Sequence, residues 1–140
     1  IYGNPLRSST GFDLRRLSML LAVLEKRFGL AYGQHDVFLN LAGGLKITDP
    51  ALDLAVVASL ISSRQDISLS DEIAFIGEVG LSGEVRSVSR IEQRLQEAAR
   101  LGRSQIYISK YSLKGIDTTK YDANIVGVSK VDDLLREVFA

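Results

Sequence analysis

DVFLNLAGGLKITDPALDLAVVASLISS, residues 36–63, contains the strand and the helix that decide the fold class of this chain. Apolar and polar residues alternate from Asp36 to Leu41, which predicts a half-buried strand leading into Gly43-Gly44. Lys46-Ile47 is a candidate extension of the same sheet. Asp49-Pro50 predicts a helix start, with the aspartate as N-cap and the proline in the first turn. The helix from Pro50 to about Ser62 is apolar on almost every side, so we expect it to be central.

The sequence before residue 36 predicts one helix. Thr10 and Asp13 resemble a capping box, and the helix that follows carries leucines at helical spacing and closes at Gly29. We therefore treat residues 1–9 as an N-terminal connecting segment. Ile1 in place of an initiator Met leads us to expect a fragment of a longer protein or a processed product.

Strand and helix patterns alternate after residue 70. Two strands, Ile73 to Glu78 and Glu84 to Val88, are joined around glycines, and Ser89 with Glu92 predicts a capping box for the next helix. That helix buries Ile91, Leu95, Ala98 and Ala99 and stops at Gly102. Further elements are strands at Gln105 to Ser109 and Asn124 to Val128 and an amphipathic helix from Val131 to Phe139. Strands interleaved with helices predict one α/β (α+β layered) domain over residues 1–140.

The composition excludes several classes of protein. With 140 residues the chain can bury one hydrophobic core, and its lack of Cys excludes disulfide scaffolds, thiolate zinc sites and Cys nucleophiles. His35 is the only histidine, so multi-histidine metal sites are excluded as well. No apolar run approaches the about 20 residues that span a membrane. We therefore expect a cytoplasmic protein with no membrane contact.

The charged residues are distributed unevenly along the chain. Residues 1–30 carry five basic and two acidic side chains, residues 84–116 carry seven and three, and residues 49–83 carry one and six. If the two basic segments meet in the fold, they form one basic face that suits phosphate groups. Charges scattered over solvated helix surfaces are the alternative.

The glycines of GEVGLSGEVR, residues 77–86, resemble a phosphate-binding loop. No Lys-Ser or Lys-Thr pair follows them, and no helix opens directly after Gly83. Turn glycines between two strands are therefore the better interpretation.

Two long segments together carry a family resemblance. Residues 36–63, followed by GEVGLSGEVRSVSRIEQRLQEAARLG at residues 77–102 and a short strand, resemble the carboxy-terminal Lon-protease-like domain of the RadA (Sms) family of bacterial recombination proteins. The resemblance covers nearly the whole chain. It implies the Lon proteolytic-domain fold, which is related to the ribosomal-protein domain-2-like superfamily.

The resemblance also implies that protease chemistry has been lost. Pro50 matches the proline of the Lon segment Gly-Pro-Ser-Ala-Gly, so Ala51 occupies the position of the nucleophilic serine, and Glu92 occupies that of the lysine base. A methyl group cannot attack a carbonyl, and a carboxylate stabilised at a helix N-terminus is a poor base. No catalytic residue is therefore expected, and we expect Ala51 and Glu92 to lie near one another.

The family implies partners and cofactors as well. Its members carry a zinc module and a RecA-like ATPase core outside this region, so Zn, ATP and Mg belong to a longer parent protein, and no cofactor or metal is expected here. The expected partners are further copies in a hexameric ring, DNA bound without sequence preference during branch migration, and a recombinase. The candidate phosphate contacts are Arg7, Arg15, Arg16, Lys26, Arg27, Arg86, Arg90, Arg94, Arg100 and Arg103.

Two alternative functions stay open. A peptidase could use a relocated pair formed by Ser59, Ser62 or Ser63 with Lys46, although a helix C-terminus is electrostatically wrong for stabilising an oxyanion. The other alternative is an oligomerisation module that does not contact nucleic acid.

Overall fold

The structure is a computed structural model that describes residues 5–41 and 48–139. The chain divides into two compact units, Ile1–Asp49 and Pro50–Ala140. The single Lon-like domain over residues 1–140 stays a prediction, and each unit is considered by itself. In the two described stretches, no helix is long and apolar enough to cross a lipid bilayer.

The first unit pairs two parallel strands with one helix. Strand β1 (Arg7–Thr10) runs parallel to β2 (Val37–Asn40), and helix α1 (Leu14–Phe28) connects them. The strand predicted within 36–41 is confirmed, whereas the connecting segment predicted for residues 1–9 is wrong at residues 7–9, which lie in β1. The sequence of β1, RSST, is polar throughout and shows no alternation of apolar and polar residues. The strand is recognised only from its pairing with β2. The predictions at Gly43-Gly44 and Lys46-Ile47 lie outside the described residues.

The start of α1 differs from the prediction by one turn. Asp13 is the N-cap and accepts a hydrogen bond from the backbone N–H of Arg15, while Thr10 ends β1. The helix ends as predicted, with Gly29 in the left-handed conformation at φ 66°. Five residues on one side of α1 are buried: Leu17, Leu20, Leu21, Val23 and Leu24.

The second unit contains a parallel sheet of three strands and a small hairpin. The sheet has the order β3 (Ile73–Ile76), β6 (Gln105–Ser109), β7 (Asn124–Val128), and its two outer strands both run parallel to β6. Strands β4 (Glu78–Val79) and β5 (Val85–Arg86) pair antiparallel. The predictions for β6 and β7 are confirmed, and the α/β class is confirmed with them.

Gly77 divides the strand that was predicted from Ile73 to Glu78. Its N–H donates to the carbonyl of Ala51 at 3.0 Å, and its carbonyl accepts from the N–H of Leu54 at 3.0 Å. A Cβ atom at this position would lie 2.9 Å from Cγ1 of Val85. The chain leaves the sheet here because its backbone bonds the earlier helical segment that begins at Pro50, and the hairpin begins at Glu78.

The central helix begins later than its sequence predicts. Pro50–Leu52 forms a 3-10 turn, and α2 (Asp53–Gln65) follows with Leu52 as its N-cap, so Asp49 does not cap the α-helix. Most of α2 is buried, which confirms its predicted central position. The buried residues are Asp53, Leu54, Val56, Val57, Ala58, Leu60 and Ile61.

The predicted capping box of the next helix is wrong. Helix α3 (Ile91–Arg100) has Arg90 as its N-cap, with no side-chain cap hydrogen bond. Arg90 takes the left-handed conformation, with φ 57° and ψ 38°, which places Ser89 one residue too early to cap. In α3, Leu95 and Ala98 are buried, while Ile91 and Ala99 are half-buried. The last helix, α4 (Val131–Val138), follows the prediction.

One side of the parallel sheet carries a hydrophobic cluster. Its buried members come from the 3-10 turn, the sheet and α3: Ala51, Ile76, Leu95, Ala98, Ile106 and Ile108. Ile91 and Tyr121 pack against this cluster from its edge. Helix α3 therefore covers the same side of the sheet that receives Ala51.

Candidate functional site

Ala51 lies inside the hydrophobic cluster. Its exposed fraction is 4%, and its carbonyl is held by the N–H of Gly77. The neighbouring cluster members are isoleucines, leucine and alanine, which offer no side-chain hydrogen-bond partner. The position that the resemblance aligns with a nucleophile is therefore closed and apolar.

Glu92 lies at the edge of the same cluster but on the surface. It occupies the first turn of α3 and is exposed, and its preceding neighbour Ile91 packs against the cluster that contains Ala51. The hydroxyl of Tyr121 donates to the carbonyl of Glu92 at 3.5 Å. One position thus lies within the cluster and the other beside it, with the carboxylate directed away from the apolar interior.

An open, polar depression borders Glu92. It has a volume of about 520 Å³ and is lined by Glu92, Gln93, Gln96, Lys120 and Tyr121. None of these side chains is a serine, threonine or cysteine, and the one hydroxyl among them, that of Tyr121, donates to the carbonyl of Glu92. Lys120 and Tyr121 were not among the site residues predicted from the sequence. The only signal for them was a basic residue next to an aromatic one.

Asp53 is the buried acidic residue of α2. It is fully buried, and its Oδ2 accepts a hydrogen bond from the N–H of Val79 at 3.1 Å. This bond joins the start of α2 to strand β4. A structural role therefore accounts for the carboxylate in an otherwise apolar helix.

The relocated serine pair receives no support from the described residues. The hydroxyl of Ser62 donates to the carbonyl of Ile67, across the C-terminal end of α2. Ser59 and Ser63 are exposed on the same helix. Lys46, the proposed base, lies outside the described residues, so the pair stays a prediction.

In the first unit, the candidate phosphate contacts have different environments. The guanidinium of Arg7 donates to the carbonyls of Tyr32, at 2.6 Å, and of His35, so it ties β1 to that turn. Arg15 is exposed and Arg16 half-buried at the start of α1, whereas Lys26 and Arg27 are exposed at its end. The rise of the helix from Arg15 to Lys26 separates these two groups by about 16 Å.

In the second unit, three candidates lie near the start of α3. Arg86 forms an ion pair with Glu84 at 2.7 Å, and this hydrogen bond holds the pKa of Glu84 below its ordinary value. Nε of Arg94 donates to the carbonyl of Ser89 at 2.8 Å. Arg90 is exposed between them. Arg86 thus lies in β5, Arg90 at the N-cap of α3 and Arg94 within that helix.

The two remaining candidates follow the end of α3. Arg100 pairs with Glu97, and the hydrogen bond between them lowers the pKa of Glu97 and raises that of Arg100. Arg103 donates to the backbone carbonyl of Asp71. Both guanidinium groups are engaged within the unit, so Arg90 is the most available of the second unit's candidates.

The donor groups of the described residues limit which cofactors could bind. Within residues 5–41 and 48–139, no three His, Asp or Glu side chains are grouped so that they could hold a metal ion. Gly77, Gly80 and Gly83 lie in the bend and turn of the hairpin, and no helix follows that turn directly. A phosphate-binding loop does not fit this geometry. The expectation of no cofactor stays a prediction.

Comparison with known proteins gives the family. Residues 13–112 match the family described as subunit ChlI of Mg-chelatase. The chain belongs to this family. The match extends from the cap of α1 to the 3-10 turn after β6, and it agrees with a Lon-like α/β domain.

Curated relatives agree with the resemblance seen in the sequence. The chain is 46% identical over 140 residues to the DNA repair protein RadA of Streptococcus pneumoniae, covering 100% of this chain and 33% of the relative. Its identity to the RadA of Bacillus subtilis is 49% over 135 residues, which cover 96% of this chain and 29% of that protein. The RadA of Listeria monocytogenes is 44% identical over 137 residues, covering 98% and 30%. The resemblance to the RadA family is confirmed, and the chain spans about a third of the length of these relatives.

Proposed function

We propose that this chain is a catalytically inactive Lon-like domain of a RadA-type DNA repair protein, which acts as an oligomerisation scaffold and a non-specific DNA-binding surface in recombination and branch migration. The burial of Ala51 carries the proposal. A methyl group lies in an apolar cluster where a protease needs an accessible hydroxyl. The relatives named DNA repair proteins supply the biological setting.

The longer protein is part of the same proposal. We place its zinc module and its Mg- and ATP-dependent core outside these residues, in a bacterial cytoplasmic protein that forms a hexameric ring and cooperates with a recombinase. This chain supplies neither thiolate ligands nor a phosphate-binding loop. In that assembly, we expect this chain to contribute contacts between copies and a surface that binds DNA.

The DNA-binding part rests on exposed basic side chains. Arg90 presents an exposed guanidinium at the start of α3, between Arg86 and Arg94. In the first unit, Arg15, Lys26 and Arg27 are exposed on α1. Lysine and arginine groups that replace counterions on phosphates give binding that is independent of sequence and sensitive to salt.

A titration of labelled duplex DNA tests the DNA-binding part. We expect the 140-residue chain to raise fluorescence anisotropy at about 50 mM salt and to lose most binding by about 200 mM. Arg90→Glu should weaken binding about 10-fold and reduce the salt slope by about one. Lys114→Glu, an equal charge change at an exposed lysine outside the candidate set, is the matched control and should have a smaller effect. Absence of binding by the unaltered chain at low salt would refute DNA contact.

A further inference from the structure

In the part of the second unit that the structure describes, three of the four exposed large apolar side chains lie at the ends of the parallel sheet, and the fourth, Ile67, follows α2. These side chains are Ile67, Leu81, Leu101 and Tyr111, with exposed fractions of 39%, 75%, 56% and 59%. The outward side of α3 instead carries Gln93, Gln96 and Glu97. An association driven by apolar contact would therefore use the sheet ends rather than this helix.

The hairpin covers the end of the sheet where the strands terminate. The N–H of Val85 donates to the carbonyl of Ser129, which follows β7, at 2.9 Å. The hydroxyl of Ser109, the last residue of β6, donates to the carbonyl of Val85 at 3.0 Å. Leu81 lies in the turn of this hairpin, and Tyr111 follows β6 at the same end.

The turn that presents Leu81 is held by several hydrogen bonds. The N–H of Gly80 donates to the carbonyl of Glu84, and the N–H of Ser82 donates to Oε1 of Glu84, both at 3.0 Å. The N–H of Val131 at the start of α4 donates to the carbonyl of Gly83 at 2.9 Å. An apolar side chain on a backbone fixed in this way loses little conformational entropy on docking.

The exposed charges at this end are basic. Lys110 and Lys130 are both exposed, and Nζ of Lys110 lies 5.3 Å from the ring centroid of Tyr111. The carboxylates nearby are engaged internally: Glu84 pairs with Arg86, and Asp133 caps α4. We call Leu81, Lys110, Tyr111 and Lys130 the carboxyl-end surface.

The opposite end of the sheet carries two exposed carboxylates, and the exposed Arg100 beside Leu101 is paired with Glu97. Asp71 and Glu72 are exposed before β3, and the carbonyl of Glu72 accepts the N–H groups of Ser104 and Gln105 at 2.9 and 3.3 Å. These bonds place the backbone of Glu72 beside the start of β6, next to the loop that exposes Leu101. Arg103 is half-buried there and donates to the backbone of Asp71. We call Asp71, Glu72 and Leu101 the amino-end surface.

We propose that the carboxyl-end surface of one copy docks onto the amino-end surface of a second copy of this chain, head to tail. The carboxyl-end surface combines Leu81 and Tyr111 with two lysines, and the amino-end surface combines Leu101 with two carboxylates. Pairing identical ends would instead oppose like charges. A head-to-tail contact leaves one free end on each copy, so it extends into a ring or a filament. This inference rests on the scaffold part of the proposed function.

Charge reversal at each end separates this contact from other modes of association. Variant C carries Lys110→Glu with Lys130→Glu, and variant N carries Asp71→Lys with Glu72→Lys. Light scattering on the 140-residue chain should show concentration-dependent association, with the dissociation constant raised about 10-fold or more in either variant. Mixing C and N restores complementary charge at every junction, so the mixture should recover most of the association. Gln93→Glu with Gln96→Glu adds carboxylates on α3 and should leave association unchanged.

Three results would overturn the proposal. They are a chain that stays monomeric at every concentration, variants that associate as the unaltered chain does, and a mixture of C and N that fails to reassemble. Circular dichroism of each variant checks that the fold persists, and Leu81→Ser provides an uncharged test of the same surface. A DNA titration on a duplex of one site's length is independent of these measurements, because a single copy is enough to bind it. Association without DNA binding refutes only the DNA part of the proposed function, and DNA binding by a strict monomer refutes only the head-to-tail contact.

Discussion

Ala51 shares its hydrophobic cluster with Ile76, Leu95 and Ile106, and its methyl group is almost completely buried. We expect Ala51→Ser to lower the free energy of unfolding by about 1–3 kcal/mol, because it places a hydroxyl among apolar side chains. Urea denaturation measures this loss. Ala99→Ser, at a half-buried alanine of α3, is the control and should cost about 0.5 kcal/mol or less.

The same residue tests whether the scaffold can regain protease chemistry. We expect the double variant Ala51→Ser with Glu92→Lys to leave casein intact, because the new hydroxyl would be inaccessible within the cluster. Fluorescence release from labelled casein is the measurement, with the unaltered chain as baseline. Serine-dependent turnover by the double variant would show that the cluster opens and that only the two side chains are missing.

Arg90 occupies a backbone conformation that favours glycine, with φ 57°. Left-handed geometry costs a residue with a Cβ about 1–2 kcal/mol, whereas glycine costs more entropy on folding. We therefore expect Arg90→Gly to be neutral or stabilising in urea denaturation. Ser89→Gly, at a neighbour without positive φ, should leave the protein about 1 kcal/mol less stable than Arg90→Gly. Equal losses at both positions would contradict the conformation of Arg90.

At the scale of the element, the sequence predicts that a helix or strand is present, and which of the two it is, better than it predicts the residue at which that element begins. Strands β6 and β7 were placed at their observed bounds, because each is a short apolar run between polar segments. Both predicted capping boxes were wrong. Thr10 pairs with Asn40 of a strand about 30 residues away, so it cannot cap α1. Arg90 adds a residue in the left-handed conformation between Ser89 and the first turn of α3. Neither event is visible in the local pattern of polar and apolar residues.

Helix α4 depends on one carboxylate at its start. Oδ2 of Asp133 accepts from the N–H of Ser129 at 2.8 Å, from the hydroxyl of Ser129 at 2.8 Å and from the N–H of Lys130 at 3.1 Å. Although burial raises the pKa of Asp133, these hydrogen bonds together bring it below the ordinary value. We expect Asp133→Ala to lower the free energy of unfolding by about 1–2 kcal/mol near neutral pH.

The pH dependence of that loss has a definite sign. A carboxyl whose pKa is lower in the folded state stabilises the fold above its unfolded pKa of about 3.9, and it ceases to do so as pH falls through the folded value. The difference between the unaltered chain and Asp133→Ala should therefore be constant above about pH 5 and shrink below about pH 4. Asp122→Ala, at an exposed aspartate, should show little change across this range. A difference that grows on acidification would contradict the capping role.

The close approach of β7 to the 3-10 turn Lys110–Leu113 depends on Gly127. A Cβ there would lie 2.6 Å from Cδ1 of Leu113 and 2.9 Å from Cα of Lys110. Since the second contact is with backbone, Gly127→Ala should cost about 1–3 kcal/mol in urea denaturation. Adding Leu113→Ala should not restore the stability, because the backbone contact persists. Recovery in the double variant would show that the side-chain contact alone was limiting.

At the scale of the whole molecule, the sequence was enough to recognise the family, but it could not predict which basic and apolar side chains are available on the surface. The segment around Pro50 and Ala51 carries the resemblance, and the interior position of Ala51 agrees with the loss of a nucleophile that it implies. The ten basic candidates could not be ranked, because a side chain's partner depends on tertiary placement. Arg7, Arg86 and Arg100 are each engaged by a group within their own unit. Leu81 and Leu101 gave no sequence signal, since their exposure follows from a turn and a loop at opposite sheet ends.

Association and DNA binding should be coupled if both proposals hold, because each copy in an assembly adds its own phosphate contacts to one duplex. Linked weak sites bind more tightly than single ones without any new contact. We expect Leu81→Ser, which removes an exposed apolar side chain and no charge, to weaken binding to long duplex DNA about 10-fold or more while leaving binding to a duplex of one site's length unchanged. Anisotropy titrations on the two duplexes measure the ratio, and Gln96→Ser on the side of α3 is the matched control. An equal loss on both duplexes would mean that Leu81 contacts DNA directly, and no loss on either would mean that single copies bind DNA independently.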